Sequence, residues 1–315
     1  MPRVGSAIAR MYTFELLFEK DAELPRWKGN IIRGALAARL AEFCLKGEPR
    51  CSGCELLHDC PYGYLIRTPS KGVVLRKLEG VSKPLVLKPP LDYISGVREG
   101  SALTFSAVLF GDAVRFEKHL LLAVSQMAKS GLGRREKRSP LRLVRAWVEN
   151  PFTHSKSLIY ESGRLYSSDT WIREQDVILP SARVYSVTFL TPTRILRNGA
   201  LVTRPTLRDL IAAAMRRYTT IAAQYMLKKP EEALGRRYSP SEILEKAESA
   251  KTLALEVRRV WLVYKGEKEE YISGRAIYAA DLTRAQRKIL GFAQLSHVGK
   301  RASYGHGWIK VEAVA

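Results

Sequence analysis

The 315-residue sequence holds no apolar run close to the ~18 residues that span a bilayer. Its opening stretch, MPRVGSAIARMYTF, is too short in apolar residues for the hydrophobic core of a secretory signal. These two absences predict a cytoplasmic protein with no membrane partner. Cysteine is scarce: there are four, all between Cys44 and Cys60. Four thiols confined to one short stretch suit a local metal site better than the disulfide framework of a secreted domain. Acidic side chains are also short in supply, 31 Asp and Glu against 52 Lys and Arg, which leaves a net charge of +21. Such an excess points to a phosphate-rich partner, although thermophile surfaces are rich in Lys and Arg as well. The sequence lacks a basic amphipathic helix with bulky apolar anchors, which favours nucleic acid over a membrane surface. It has no polymerase-type carboxylate pair and no two H-x-T repeats, which speaks against nucleotidyl transfer and against that phosphoesterase chemistry.

What is present is globular: 46% apolar and 26% charged residues, enough for one large domain or two ordinary ones. In MYTFELLF, Tyr12, Phe14, Leu16 and Phe18 alternate onto one face of a strand. After Pro25, Ile32, Leu36, Leu40 and Phe43 recur at helical spacing. PLVLKPP and LTFSAVLFG read as strands, FEKHLLLAVSQMAKSG as a helix and LRLVRAWV as a strand. The second half repeats the order. RVYSVTFLTP is a strand with Tyr185, Val187 and Phe189 inward, and the segment from Leu207 to Tyr225 carries one apolar stripe. ALEVRRVWLVY and YISGRAIYAAD follow as strands, then the helix TRAQRKILGFAQLSHVG and the strand GWIKVEA. This order predicts an α+β fold of two tandem ferredoxin-like βαββαβ domains. The first covers residues 1–150, with a Cys-rich loop at 44–60, and the second covers 181–315. Residues 151–180 connect them, with a hairpin around YESGRLY. A charged insertion follows the long helix of the second half.

Both halves end alike, in KSGLGRREKRSPLRLV and SHVGKRASYGHGWIKV, where glycine and basic residues separate a helix from the last strand. In the second, Gly299, Gly305 and Gly307 remove side chains where backbone turns or approaches a ligand. Lys300 and Arg301 supply cations, Ser303 and His306 are polar, and Tyr304 or Trp308 can stack on an unpaired base. The alternative is an ordinary helix-to-strand turn with Trp308 in the core; the charge excess favours phosphate binding. Arg134 and Arg135 occupy the matching loop of the first half. Arg with Tyr in RRY at 216–218 and in LGRRYSP at 234–240 suits a single-stranded RNA path, though helical charge faces look similar.

LPRWKGNIIRGAL at 24–36, LTPTRI at 190–195 and VGKRASYGHGWI at 298–309 resemble, in that order, the RAMP-superfamily endoribonucleases that process precursor CRISPR RNA. The resemblance spans nearly the whole chain. It implies tandem ferredoxin-like domains, RNA as substrate, and RNA contacts at Arg194 and along residues 299–307. It also implies cleavage within repeats that needs no metal: the 2′-hydroxyl attacks the neighbouring phosphate and leaves 2′,3′-cyclic phosphate and 5′-hydroxyl ends. Other CRISPR effector subunits are possible partners under this resemblance. The family's reacting groups come from the first helix of domain one and its surroundings, often with a histidine. Here no histidine lies between Leu24 and Lys46. The candidates are Lys28 for charge stabilisation or proton transfer, Arg33 as a second phosphate contact, and His58 as a base or a stray metal ligand. His306 is a weaker candidate, His119 reads as structural and His154 lies in the connector.

Cys44, Cys51, Cys54 and Cys60 follow C-x6-C-x2-C-x5-C. The CxxC pair suits two thiolates on one metal and the outer pair can complete a tetrahedron, which predicts structural zinc. An iron–sulfur cluster uses the same ligands, and disulfides or free thiols are the plain alternative. Two further functional readings stay open: a non-catalytic RAMP subunit that holds guide RNA, and a general RNA-binding protein with a zinc knuckle.

Overall fold

The computed structural model describes residues 7–68, 82–133, 138–226, 228–234, 239–264 and 266–314. The chain divides into two compact units between Arg173 and Glu174. In the N-terminal unit the main elements are β1 (Ala7–Phe18), α1 (Gly29–Ala41), β2 (Leu85–Lys88), β3 (Ala102–Phe110), α2 (Glu117–Ser130) and β4 (Leu141–Asn150). The strands pair antiparallel in the order β2-β3-β1-β4, the arrangement of a ferredoxin-like sheet. β5 (Ser155–Glu161) and β6 (Arg164–Leu165) extend it past β4, and β7 (Ile172–Arg173) pairs with β1. Residues 155–173, read from the sequence as part of a connector, therefore add strands to this sheet. Edge pairing gives their exposed polar backbone its hydrogen bonds.

The alternation in β1 places Tyr12, Phe14 and Leu16 in the core, each fully buried. Phe14 lies opposite Phe105 on one side and Ala146 on the other, and the two Phe rings meet at 5.2 Å. α1 contributes Ile32, Leu36 and Leu40, and α2 contributes Leu120, Val124 and Met127. The start of α2 is tied to the sheet by polar groups. The Tyr12 hydroxyl donates to Glu117 at 2.6 Å and the Arg10 guanidinium pairs with the same carboxylate at 2.5 Å. His119 packs edge-on against Phe43 and Phe116, and burial lowers its pKa.

The C-terminal unit repeats the plan with β8 (Val184–Thr193), α3 (Leu207–Tyr225), β9 (Lys251–Tyr264), β10 (Glu267–Ala279), α6 (Arg284–Ser296) and β11 (Ile309–Ala313). Its sheet order is β9-β10-β8-β11. The charged insertion carries two short helices, α4 (Pro230–Leu234) and α5 (Pro240–Glu248). Helix starts are written locally. Thr206 with Asp209, Ser239 with Glu242 and Thr283 with Gln286 each form a reciprocal capping box, which satisfies amide donors that the first turn leaves open. α5 is fixed to α6 by the Gln286 side-chain amide, which donates to the Ile243 carbonyl at 2.8 Å. Glu174 joins the insertion to α6 through Lys228 and Lys288, and these lysines hold its carboxyl down at about 2 despite partial burial.

α6 lies so close to residues 177–179 that a Cβ on Gly291 would sit 1.7 Å from the Val177 carbonyl oxygen. The Arg287 guanidinium donates to the Leu179 carbonyl beside it at 2.9 Å. Gly291→Ala is expected to destabilise the protein by ~1–3 kcal/mol, since backbone rather than a flexible side chain must move. Chemical denaturation measures this; an unchanged midpoint would mean that α6 does not seat on this strand of backbone.

Candidate RNA-binding and catalytic surfaces

In the C-terminal unit, the two motifs on either side of the long helix form one interlocked structure. β8 loses its regular register between Phe189 and Thr193, around Pro192, a residue with no amide donor. The residues freed there bind the loop that follows α6. The Thr191 hydroxyl donates to the Gly305 carbonyl at 2.8 Å and accepts from the Trp308 amide at 2.9 Å. Backbone bonds run from Gly307 to Pro192, from Lys300 to Arg194 and from Leu190 to Trp308. Within the loop the Val298 amide donates to the Gly307 carbonyl.

This packing accounts for two of the glycines. A Cβ on Gly299 would lie 2.2 Å from the Arg194 carbonyl, and one on Gly307 would lie 1.8 Å from the Val298 carbonyl. Both have φ in the left-handed region, +75° and +72°. The close approach read from the sequence as room for a ligand is here an approach to the protein's own backbone.

The basic residues of the loop part company. Arg301, itself in the left-handed region, forms a two-pronged ion pair with Glu269 at 2.8 and 2.5 Å and lies 3.3 Å over the Tyr264 ring. Tyr304 meets the same ring edge-on, and the Tyr271 hydroxyl donates to Glu269 at 2.7 Å. The Arg301 hydrogen bonds pull the Glu269 carboxyl down to about 2. The Arg194 guanidinium donates to the Glu270 carbonyl at 2.9 Å. Arg301 and Arg194 thus brace the loop to β10, whereas Lys300 is exposed and Ser303 half-buried. His306 is buried against Tyr271, and burial drops its pKa to about 4, so it is neutral near pH 7. Its carbonyl meets His297 Nδ1 at 3.1 Å, and His297 stacks on Trp308. Tyr304 and Trp308 are both half-buried.

The N-terminal candidates occupy three separate surroundings. Lys28 is the residue before α1 and is buried; its ammonium donates to the Asp92 carboxylate at 2.7 Å and to the Asp92 carbonyl at 3.0 Å. Both line a cleft of about 310 Å³ with Leu24, Ile94, Arg98 and Leu103. Arg33 is buried on the next turn of α1. His58 is exposed at the end of a short helical turn, where its carbonyl accepts from Arg115 and its ring lies 6.4 Å from that of Tyr64. His154, with φ +57°, lies in the turn before β5. Arg134 and Arg135, and residues 235–238, lie outside the described residues.

The zinc expectation is corrected. Among the described residues, no three His, Cys, Asp or Glu side chains converge on a metal position. All four cysteines are free thiols. The Cys44 thiol donates to the Glu48 carbonyl, and Cys60 sulfur accepts the Gly63 amide. Burial pushes the Cys51 thiol up, Arg67 opposes it and the other three cysteines add to it.

A group that sequence reasoning passed over also lies in this unit. Lys83, just before β2, donates to the Arg67 carbonyl at 2.7 Å, and Arg67 reaches over the Tyr62 ring.

Comparison with known proteins accords with this architecture. Residues 187–309 match a family model described as the CRISPR-associated endoribonuclease Cas6, and residues 7–174 match a model described as an N-terminal domain. No curated protein matches. Among solved structures, the product complex of the Thermus thermophilus Cas6 TTHB231 is similar at 17% identity and TM-score 0.57, over 96% of this chain and 99% of that one. A partial Cas6-RT-Cas1–Cas2 complex is similar at 11% identity and TM-score 0.61, over 99% of this chain and 47% of that one. A RAMP protein described as binding different RNA substrates is similar at 9% identity and TM-score 0.50, over 96% and 99%.

The Arg301–Glu269 brace generates a pH prediction. A carboxyl held below its unfolded value stabilises the fold above about pH 4.5, and that contribution is lost as pH falls toward about 2. Glu269→Gln is expected to lower the thermal midpoint at pH 7, with the gap to wild type shrinking between pH 5 and pH 2. Adding Arg301→Gln to Glu269→Gln should cost less than the sum of the single changes; additive effects would mean that the pair is not coupled.

Proposed function

We propose that this chain, whose residues 187–309 match the Cas6 endoribonuclease family model, cuts precursor CRISPR RNA within its repeats. The observation that carries this reading is the interlock of Leu190–Arg194 with Val298–Trp308, which lies within the matched Cas6 region. It presents exposed Lys300 from a fixed backbone, and a fixed cation serves a phosphate chain better than a mobile one. The charge of +21 supports a polyanionic substrate.

The proposed reaction uses no metal ion. The ribose 2′-oxygen forms a bond to the adjacent phosphorus while the bond from phosphorus to the 5′-oxygen breaks. The products are a 2′,3′-cyclic phosphate and a 5′-hydroxyl. The reaction needs a proton acceptor for the 2′-hydroxyl, cations against the charge that grows on phosphorus, and in-line geometry. Lys28 is assigned to charge stabilisation. Asp92 holds its ammonium at rest, and an entering phosphate competes for the same N–H donors at the floor of the cleft. Arg33 is a second cation on the same helix. His58, exposed while His119 is packed among aromatic rings, is the proposed acceptor of the 2′-proton. Other CRISPR proteins are proposed as further partners, in line with the Cas6-RT-Cas1–Cas2 complex named above.

A second reading, a RAMP subunit that holds guide RNA without cutting it, is favoured by one feature. α1 carries no histidine, and Lys28, just before it, is already ion-paired. Labelled repeat RNA in excess EDTA separates the two. Cleavage is expected at saturating protein, and intact, bound RNA would reject the nuclease reading in favour of the second. Lys28→Ala, checked for a wild-type melting curve, is expected to cut about 10²–10³-fold more slowly. A normal rate would remove Lys28 from the site.

A further inference from the structure

The C-terminal sheet ends on an uncovered strand. β9 is the last strand in its order, and among the described residues it pairs with β10 alone. Not one of its 14 residues is buried. Where a strand ends a sheet, alternate amides and carbonyls point away from its neighbour and form a template for another strand. Natural edges are commonly kept short or broken by bulges. This one is long, and its register shift lies near one end, between Thr252 and Ala254. Two large apolar side chains stand out along it: Leu253 is 57% exposed and Trp261 55%.

The order of side chains along β9 fits a second copy of itself. When two antiparallel edges join about a two-fold axis, the axis stands perpendicular to the sheet and each residue keeps its face. Residues directly opposite share a face, so their numbers are both odd or both even. Centring the pairing on Val257 sets Glu256 opposite Arg258 of the second copy, and symmetry forms that pair twice. Glu256 and Arg258 are both exposed. The same register sets Leu253 opposite Trp261 and Ala254 opposite Val260. Arg259 is already paired with Glu270 of its own β10 at 3.2 Å. It comes opposite Leu255, whose apolar surface its aliphatic stem covers. Moving the centre by one residue sets Glu256 or Arg258 against its own copy, and like charges directly opposite are destabilising. Attraction selects the register on Val257, and repulsion excludes both neighbours.

We infer that β9 joins β9 of a second copy, antiparallel about Val257, so that two four-stranded sheets continue as one across the dimer. Main-chain hydrogen bonds supply the affinity, as they do wherever a strand adds to a sheet edge. The two Glu256–Arg258 pairs fix the register. This surface takes no part in the proposed cleavage, so each proposal stands or falls alone.

Sedimentation velocity of the full-length protein, freed of nucleic acid, over a range of concentrations tests the dimer. Wild type is expected to associate as a dimer. Glu256→Arg and Arg258→Glu, each with a wild-type circular dichroism spectrum, are each expected to weaken dimerisation about tenfold, because attraction becomes repulsion at two places. An equimolar mixture of the two variants is expected to recover it. One chain then carries two positive charges at the facing positions and the other two negative ones. Trp261→Ser, which alters the apolar contact and no charge, is expected to weaken the dimer as well, and it carries the test if a charge variant misfolds. A monomer at every concentration would overturn the inference. So would variants that dimerise as wild type does, or a mixture that fails to recover, since the contact would then use another surface or register. Association that appears only with added RNA would assign the edge to nucleic acid and overturn it too.

Discussion

The Thr191 hydroxyl lies at the centre of the C-terminal motif. It donates to the Gly305 carbonyl and accepts the Trp308 amide, so it fastens both sides of a turn whose own backbone cannot close into a sheet. Side-chain capture of this kind is worth most where the groups are buried, because an unpaired amide or carbonyl there costs ~1–3 kcal/mol. Thr191 is fully enclosed. Around it follow the interruption of β8 at Pro192, the glycines that let Val298 and Arg194 carbonyls come close, and the bracing of Arg301 against Glu269. What the loop offers to a partner is the residue that these contacts leave outside, Lys300.

Both units hold cationic side chains against carboxylates. In the C-terminal unit Arg301 and Arg194 are bound to a carboxylate and to a carbonyl, where a rigid fork fixes geometry. In the N-terminal unit Lys28 is held by Asp92 beside a cleft.

Much of the fold was legible because it depends on short-range periodicity. Tyr12, Phe14 and Leu16 alternate, the stripe from Leu207 to Tyr225 is helical, and both sheets follow from that order. The hairpin around YESGRLY was legible from its turn, but not its joining of the N-terminal sheet, since a short polar stretch adds to a sheet only when an edge is there to pair with it. At the site, residue types pointed to the loop but not to its roles. Gly299 and Gly307 look alike whether a ligand or a carbonyl approaches, and Arg301 gives no sign of Glu269, 32 residues earlier. Asp92 lies 64 residues from Lys28. The cysteine spacing was suggestive, yet spacing constrains sulfur positions weakly when the backbone between them turns toward other partners.

The account's central claim is that the RNA supplies its own nucleophile. It is tested most directly by one atom: after the wild-type cut is mapped, the 2′-hydroxyl of the nucleotide on its 5′ side is replaced by hydrogen and cleavage at that bond is followed. The substituted RNA is expected to bind with unchanged affinity and to remain intact at that position. Cleavage at the same bond and a similar rate would mean that water or another group attacks phosphorus, and the assignment of a 2′-oxygen reaction would be wrong.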